Sequence, residues 1–351
     1  MTAVPEVQDD RSSLLHAVQM ALHENTPHVA KRICEQHLFA EPDDPDAHRY
    51  LGQLHVQLGE PERGLILAIR ATELAPEDPR AWSDLGRVQV WVRKIAEAIT
   101  CFERAVALAP DYADGWHNLG LALKQAGQTE RAFEAMKHAL LRDPTRADSY
   151  LTLGNLLVEH EQLDEALICF ERAVAHDPQL ARAQARLAQE LSQRGDVERA
   201  QSLLKRSVAL DPNDVGNWFD LARTLEDLGQ AEAALSCYRI ILQRQPGHAL
   251  ALGQYLALAK GDEGLEWLEQ VEHVLDRPGD AHEGKALIGY GLIKFYDRRG
   301  RFSEAASAGI RANAARRKAA GPFDRDSFRT RVDAIIATYT SEFSGSGVTW
   351  G

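Results

Sequence analysis

A proline recurs every 34 residues between Pro76 and Pro246, and this fixed interval constrains the possible folds of the chain most strongly. Leucines and small residues recur at the same interval and in phase with it. The series are Pro76, Pro110, Pro144, Pro178, Pro212 and Pro246; Leu51, Leu85, Leu119, Leu153, Leu187 and Leu221; and Gly52, Gly86, Gly120, Gly154, Ala188 and Ala222. Such a period is typical of solenoids, whose units contact mainly their neighbours. We therefore expect a repeat architecture, although 351 residues would otherwise indicate two or three globular domains.

Each unit has the pattern of two helices packed as a hairpin. Apolar residues three or four apart, such as Trp82 and Leu85, predict one buried face on a first helix. A small residue at the eighth position and an alanine at the twentieth would let a second helix approach closely. The proline ends that second helix because it cannot continue the hydrogen-bond ladder. Glycines between the two helices predict left-handed helix caps, at Gly59, Gly127, Gly195 and Gly229.

The period and the residue types resemble the tetratricopeptide repeat. Its first half is matched by Trp82-Ser-Asp-Leu85-Gly86, Trp116-His-Asn-Leu119-Gly120 and Tyr150-Leu-Thr-Leu153-Gly154, and its second half by Ala98-Ile-Thr-Cys-Phe102 and Ala166-Leu-Ile-Cys-Phe170. The resemblance implies an all-α fold, a right-handed α-solenoid of stacked helix–turn–helix repeats. It also implies that the chain acts as a scaffold that binds a protein or peptide.

The repeat frame predicts the organisation of the whole chain. A solenoid is expected over 11–248, with a degenerate repeat at 11–44 and six clear repeats at 45–78, 79–112, 113–146, 147–180, 181–214 and 215–248. The phase breaks after Pro246. We predict a disordered N-terminus at 1–10, an irregular helical connector at 249–285, a degenerate repeat at 286–319, a capping helix at 320–343 and a flexible tail at 344–351.

Composition argues against several classes of function. The chain has 52 acidic and 40 basic residues, a formal net charge of −12, which disfavours a general nucleic-acid binder. The first ten residues lack the basic start and apolar stretch of a secretory signal. No apolar run reaches the length of a membrane span. We therefore expect a cytoplasmic protein with reduced thiols, binding neither nucleic acid nor membrane.

The sequence contains no residue pattern that predicts catalysis, a cofactor or a metal. Cys101 and Cys169 are 68 residues apart, as are Cys169 and Cys237, so they would lie two repeats apart, too far for disulfides. We predict inert, structural thiols. The 13 histidines show no metal-ligand spacing, and the nearest approach to a cluster is His16, His23 and His28. We expect the histidines on the surface and the chain to be no enzyme.

The resemblance implies that the concave side of the solenoid, formed mainly by first helices, is the binding surface. Its arginines favour an acidic peptide or tail, because guanidinium groups bind carboxylates in a bidentate manner. The alternative is that these are solvated charges paired with neighbouring aspartates and glutamates. The candidate groove residues are Arg49, Gln53, Arg80, Asp84, Arg87, His117, Asn118, Lys124, Asn155, Arg182, Arg186, Gln189, Asp220 and Arg223.

A second resemblance concerns the C-terminal part of the chain. The segments Tyr296 to Ala305, Ala312 to Arg317 and Thr340-Ser-Glu-Phe343 resemble the region that joins repeats to the catalytic domain in bacterial tetratricopeptide-repeat sulfotransferases. In that family a donor-binding loop follows within a few residues, beyond the position of Gly351. This resemblance implies the alternative hypothesis that the chain is the substrate-recruiting half of such an enzyme.

Overall fold

The structure, a computed structural model, describes residues 16–21, 24, 26–277 and 282–320. Across this part of the chain the regular structure is helical, and no strand occurs. The predicted all-α fold of repeated helical hairpins is confirmed. The helices are α1 (Pro27–Ala40), α2 (Pro45–Gln57), α3 (Pro61–Leu74), α4 (Pro79–Trp91), α5 (Ile95–Leu108), α6 (Ala113–Gln125), α7 (Thr129–Arg142), α8 (Ala147–Glu159), α9 (Leu163–His176), α10 (Ala181–Gln193), α11 (Val197–Leu210), α12 (Val215–Asp227), α13 (Ala231–Arg244), α14 (Ala249–Leu258), α15 (Leu268–Asp276), α16 (His282–Asp297) and α17 (Phe302–Ala320).

The starts of the first helices follow from local chemistry. Helices α2 and α4 begin at prolines. A backbone N–H in the first turn of a helix has no partner within the helix, so proline, which has no N–H, is well suited to this position. The preceding aspartates cap both helices: Asp44 accepts a hydrogen bond from the Ala47 backbone N–H (2.9 Å) and Asp78 from that of Arg80 (2.9 Å). The sequence therefore determines these helix starts without help from tertiary contacts.

The turn inside each hairpin uses one left-handed residue, as predicted. Gly59, Gly127, Gly195 and Gly229 have φ between 70° and 84°. In the two remaining repeats the same position is occupied by Arg93 (φ 63°) and Glu161 (φ 59°). Because a side chain disfavours this conformation by ~1–2 kcal/mol, these two repeats fold against local strain.

The hairpins pack through the small residue at the eighth position. In the first clear repeat it meets the twentieth residue, as predicted: a Cβ on Gly52 would lie 3.1 Å from the Gly64 carbonyl oxygen. In the next three repeats the contact is instead with the large residue at position 24. The pairs are Gly86 with Phe102, Gly120 with Met136 and Gly154 with Phe170. In three of the four clear repeats with this glycine, it therefore makes room for a buried side chain, not for another small residue.

The chain divides into two compact units, with the boundary between Arg194 and Gly195. In the C-terminal unit the regular spacing is lost after α14. Helix α14 packs against α16, where the Gly253 and Gly291 backbones approach so closely that a Cβ on Gly291 would overlap Gly253. Helix α16 also packs against α17. The predicted disordered N-terminus (1–10), capping helix (320–343) and tail (344–351) lie outside the described residues, apart from Ala320 at the end of α17.

Among the described residues, no helix has both the length and the apolar character needed to cross a membrane.

Candidate functional site

Side-chain contacts join successive first helices of the N-terminal unit on one side. The residues concerned occupy the positions predicted to face the groove on α2, α4, α6, α8 and α10, and we call this side the first-helix surface. The contacts are Arg49 Nη1 with Asp84 Oδ2 (2.8 Å), Asn118 Nδ2 with Ser83 Oγ (3.3 Å), Lys124 Nζ with Glu159 Oε1 (3.0 Å) and Arg186 Nε with Asn155 Oδ1 (2.7 Å). The structure thus brings most of the candidate groove residues of this unit together.

Arg49 is buried and bound between two carboxylates. Its guanidinium donates to Asp84 (2.8 Å) on the next first helix and to Asp46 (3.1 Å) on its own. Burial alone would lower the pKa of Arg49, but Asp84 and Asp46 outweigh it, so the pKa is raised. Burial raises the pKa of Asp84, which Arg49 and the nearby Gln53 oppose. This network joins α2 to α4 and leaves Arg49 only 7% exposed.

His117 is buried between first helices, which corrects the expectation of surface histidines. Its Nδ1 is hydrogen-bonded to Ser149 Oγ (2.8 Å). Burial, with the Arg146 guanidinium nearby, lowers the pKa of His117 to about 4, so the ring is neutral near pH 7. His55 is buried too, and its Nδ1 bonds Glu60 (2.8 Å). The expectation was wrong for both because a buried imidazole can find a hydrogen-bond partner within the chain.

Three cations of the first-helix surface each have a carboxylate partner; Arg80 and Arg87 are exposed, and Lys124 is half-buried. Arg80 pairs with Asp78 (3.0 Å), Arg87 with Asp84 (3.3 Å) and Lys124 with Glu159 (3.0 Å). Such exposed pairs contribute ~0–1 kcal/mol to stability. Their charge is already balanced, so they offer little attraction to an acidic ligand.

Arg186 on α10 differs from these cations because its partners are neutral. Its guanidinium donates to the amide oxygens of Asn155 (2.7 Å) and Gln189 (2.9 Å) and lies 5.6 Å from the centroid of the Phe170 ring. Within the described part of the chain no carboxylate lies within ion-pairing distance of it. One turn earlier on α10, the Arg182 side chain is 73% exposed and 3.7 Å from Asp148. This end of the first-helix surface therefore carries positive charge that is not fully balanced.

Two apolar residues of this surface were not anticipated from the sequence. Trp91, at the thirteenth position of its repeat, is 69% exposed, and Leu121, at the ninth position of the next, is 42% exposed. The other clear repeats carry Gln57, Gln125, Glu159, Gln193 and Asp227 at the thirteenth position. That contrast is the signal by which Trp91 could have been found. Exposed aromatic residues are frequent anchors in protein interfaces.

The candidates of the C-terminal unit lie on α12. Arg223 is exposed, and Asp220 is half-buried. Both belong to the C-terminal unit and not to the first-helix surface of the N-terminal unit.

All four cysteines are free and buried. Burial raises the pKa of the Cys101, Cys169 and Cys237 thiols to about 11 and that of Cys34 to about 12. Since the thiolate is the reactive species, these groups are expected to be unreactive in the folded chain.

One group of potential metal ligands escaped the sequence search, which considered His16, His23 and His28. His37, Glu41 and Asp44 place their ligand atoms within 4.8 Å of one another at the turn between α1 and α2. A hydrogen bond between His37 Nε2 and Asp44 Oδ2 (3.0 Å) accounts for the arrangement without an ion. His23 lies outside the described residues, and His16 and His28 are exposed.

Comparisons with known proteins agree with the repeat architecture. Tetratricopeptide-repeat family models match residues 45–88, 94–127 and 123–190. Residues 184–316 match the middle TPR-like domain of cilia and flagella-associated protein 70. The chain therefore carries tetratricopeptide repeats. The part of the predicted sulfotransferase connector from 286 to 316 lies inside this last match, and Thr340 to Phe343 lie outside the described residues.

Solved structures show the same fold at low sequence identity. PilF of Pseudomonas aeruginosa is 18% identical, with 60% of this chain and 94% of that chain covered and a TM-score of 0.55. A chain of the APC/C hetero-tetramer Cut9–Hcn1 is 15% identical, with 85% of this chain and 55% of that chain covered and a TM-score of 0.56. No curated protein matches the sequence.

Proposed function

We propose that this tetratricopeptide-repeat chain is a protein-interaction scaffold, and that the first-helix surface of its N-terminal unit binds an acidic segment of a partner protein. The observation that carries the proposal is Arg186, whose guanidinium is held by two neutral amides and by no carboxylate. Amide acceptors position a guanidinium without cancelling its charge, so the group remains attractive to an anion. Arg182, one turn away and mostly exposed, adds a second cation.

Trp91 and Leu121 supply the apolar part of the proposed site. Both are exposed on adjacent first helices, at positions that other repeats fill mainly with polar residues. A segment that combined carboxylates with a large apolar side chain would use both features. Aromatic anchors with a polar rim are typical of protein interfaces.

The role we propose is binding and not catalysis. The strongly perturbed groups of this surface, Arg49 and His117, are buried in contacts between helices, where they hold the repeats together. We also propose that the partner is a cytoplasmic protein, and neither nucleic acid nor a membrane. The net charge of −12 supports this, since a polyanion would be repelled by most of the chain.

Selection from a displayed library of random peptides tests the proposal. Peptides enriched by the wild-type chain should be acidic, and fluorescence anisotropy should show weaker binding to the Arg182→Glu/Arg186→Glu variant. Each lost charge-assisted hydrogen bond is worth ~1.5–3 kcal/mol, so the expected loss is tenfold or more. Arg104→Glu reverses one charge on a second helix and is the matched control. Enrichment of basic peptides, or equal binding by the double variant, would contradict the proposal.

A second proposal follows from the C-terminal resemblance: the chain recruits substrates for a sulfotransferase domain. The sequence from Tyr296 to Ala305 and the motif Thr340 to Phe343 support it. Reading the gene downstream of Gly351 tests it. A donor-binding loop within a few codons would favour the recruiting role, and a stop codon with no such loop in any nearby frame would favour the stand-alone scaffold.

A further inference from the structure

An acidic cleft lies where the turn between α8 and α9 meets the C-terminal end of α10, inside the N-terminal unit. Its volume is about 570 Å³. The lining is unusual in charge, with four carboxylates and a single guanidinium. The lining residues are Glu161, Gln162, Leu163, Asp164, Glu165, Glu190, Gln193 and Arg194.

Glu190 is the residue of this cleft that packing does not explain. Only 3% of it is exposed, and none of the side-chain hydrogen bonds or ion pairs found among the described residues involves its carboxylate, whose oxygens reach the cleft. It occupies the tenth position of its repeat, which is a core position elsewhere. The four preceding repeats place buried apolar residues there, namely Leu54, Val88, Ala122 and Leu156. A side chain that is almost wholly buried but presents its carboxylate to a cleft, at a position that earlier repeats fill with apolar residues, points to a cationic ligand there.

The remaining charges of the cleft leave it negative. Arg194 is the only cation in the lining, and it already donates to Asp164 Oδ1 (2.8 Å) and to the Leu163 carbonyl oxygen (2.9 Å). Three carboxylates are then left, on Glu161, Glu165 and Glu190. The lining therefore carries an excess of negative charge that its single cation does not balance.

Other repeats do not share this acidity. The positions of Glu161 and Glu165 are filled by Gly127 and Arg131 in the preceding repeat. Glu161 also adopts a left-handed φ of 59°, at a position where four repeats use glycine. The acidic cleft is thus a local departure from the repeat pattern, and it is kept despite backbone strain.

The spacing of the carboxylates selects the class of cation. In the described residues the one set of ligand side chains close enough to hold a metal ion is His37, Glu41 and Asp44, far along the chain from the cleft. The cleft carboxylates do not converge on one point, so they suit several N–H donors spread over a larger group. A guanidinium carries five such donors and an ammonium three. Leu163 offers an apolar wall for an aliphatic stem.

We propose that the acidic cleft binds a guanidinium or primary ammonium group, with Glu190 as its buried anion. This site is distinct from the first-helix surface and opposite to it in charge. The group could be the arginine or lysine side chain of a partner protein or belong to a free small amine. The chemistry is the same in both cases, and the experiment separates them.

Isothermal titration calorimetry at low ionic strength tests the site with three probes: N-acetyl-arginine-N-methylamide, agmatine and magnesium chloride. Wild-type chain should bind at least one guanidinium probe, while Glu190→Gln should bind it about tenfold more weakly or worse. Tighter binding of the capped arginine would indicate a protein side chain, and tighter binding of agmatine a free amine. Glu130→Gln removes the carboxylate equivalent to Asp164 in the preceding repeat and should leave binding unchanged.

Glu190→Leu provides a second variant with a separate readout. It restores the apolar residue type of the four preceding repeats, so it should raise the urea midpoint while abolishing binding of the guanidinium probes. Wild-type chain that binds neither guanidinium probe at about 10 mM, or that prefers magnesium, would overturn the proposal. Wild-type affinity retained by either Glu190→Leu or Glu190→Gln would overturn it as well.

Discussion

Replacing Gly154 by alanine tests the packing that holds each hairpin together. A Cβ built on Gly154 would lie 2.5 Å from Phe170 Cε1 and 2.8 Å from Cδ1, well inside the ~3.5–4.0 Å of normal carbon contacts. Phe170 is fully buried, so its ring has no room to move away. Overpacking of this kind costs ~1–3 kcal/mol, and the higher helix propensity of alanine returns ~1 kcal/mol. Because the overlap is severe, we expect a net destabilisation of ~1–2 kcal/mol.

The next repeat of the chain shows which residue at position 24 accommodates an alanine at position 8. In the next repeat the eighth position is Ala188 and position 24 is Leu204, and both are buried. The double variant Gly154→Ala/Phe170→Leu copies this pair. Phe170→Leu alone should cost ~1–2 kcal/mol through the cavity it leaves, and the alanine methyl should partly fill that cavity. The double variant should therefore be more stable than the sum of the single effects by ~1–2 kcal/mol.

Urea denaturation followed by far-ultraviolet circular dichroism measures these changes. The midpoint and the slope should be compared together, because repeat arrays can unfold in more than one step. A midpoint that rises for Gly154→Ala would refute the reasoning. Strict additivity of the two single variants would refute it too, since it would mean that the two side chains do not share one space.

Three further predictions follow from the turns and the buried groups. Arg93→Gly should raise the free energy of unfolding by ~0.5–1 kcal/mol in urea denaturation, because the ~1–2 kcal/mol of left-handed strain that it relieves exceeds the backbone entropy cost of glycine. Gly127→Ala should lower the free energy of unfolding, because it places a side chain on a left-handed residue. Since burial lowers the pKa of His117 from 6.5 to about 4, its unfolded form binds a proton more readily. The contribution of His117 to the free energy of unfolding, on the order of 3 kcal/mol, should be complete above pH 6.5 and be lost as the pH falls toward 4. In urea denaturation at several pH values, His117→Gln should make the free energy of unfolding depend less on pH over this range. The four buried thiols should react slowly with Ellman's reagent in the folded chain and rapidly in urea, and a fast native reaction would contradict their burial.

Much of the fold could be read from the repeat alone. The apolar spacing, the capping aspartates and the prolines at helix starts and ends are local signals, and the helices of the clear repeats follow them closely. The left-handed glycines were also predictable, because glycine has no side chain to oppose that conformation. Arg93 and Glu161 were not predictable as left-handed residues, since only the surrounding helix hairpin forces them into it.

The candidate site was less accessible to sequence reasoning. Arg49 and Arg186 occupy neighbouring positions of the repeat frame, and both read as groove cations. The structure buries Arg49 between Asp46 and Asp84 and gives Arg186 only amide partners. Which partner a long side chain meets depends on the residue one repeat away, about 34 positions along the chain, and no local pattern encodes that pairing.

The sequence by itself therefore determined the repeat period, the helical hairpin and the identity of its turns, because these depend on interactions within a few residues. The tertiary structure decided which charges are neutralised, that the rings of Phe102 and Phe170 fill the space above glycines, and that Glu190 lines an acidic cleft from a position where the four preceding repeats have apolar core residues. Those outcomes depend on contacts between neighbouring helices, where a single substitution changes the partner of a residue and leaves the helix pattern intact.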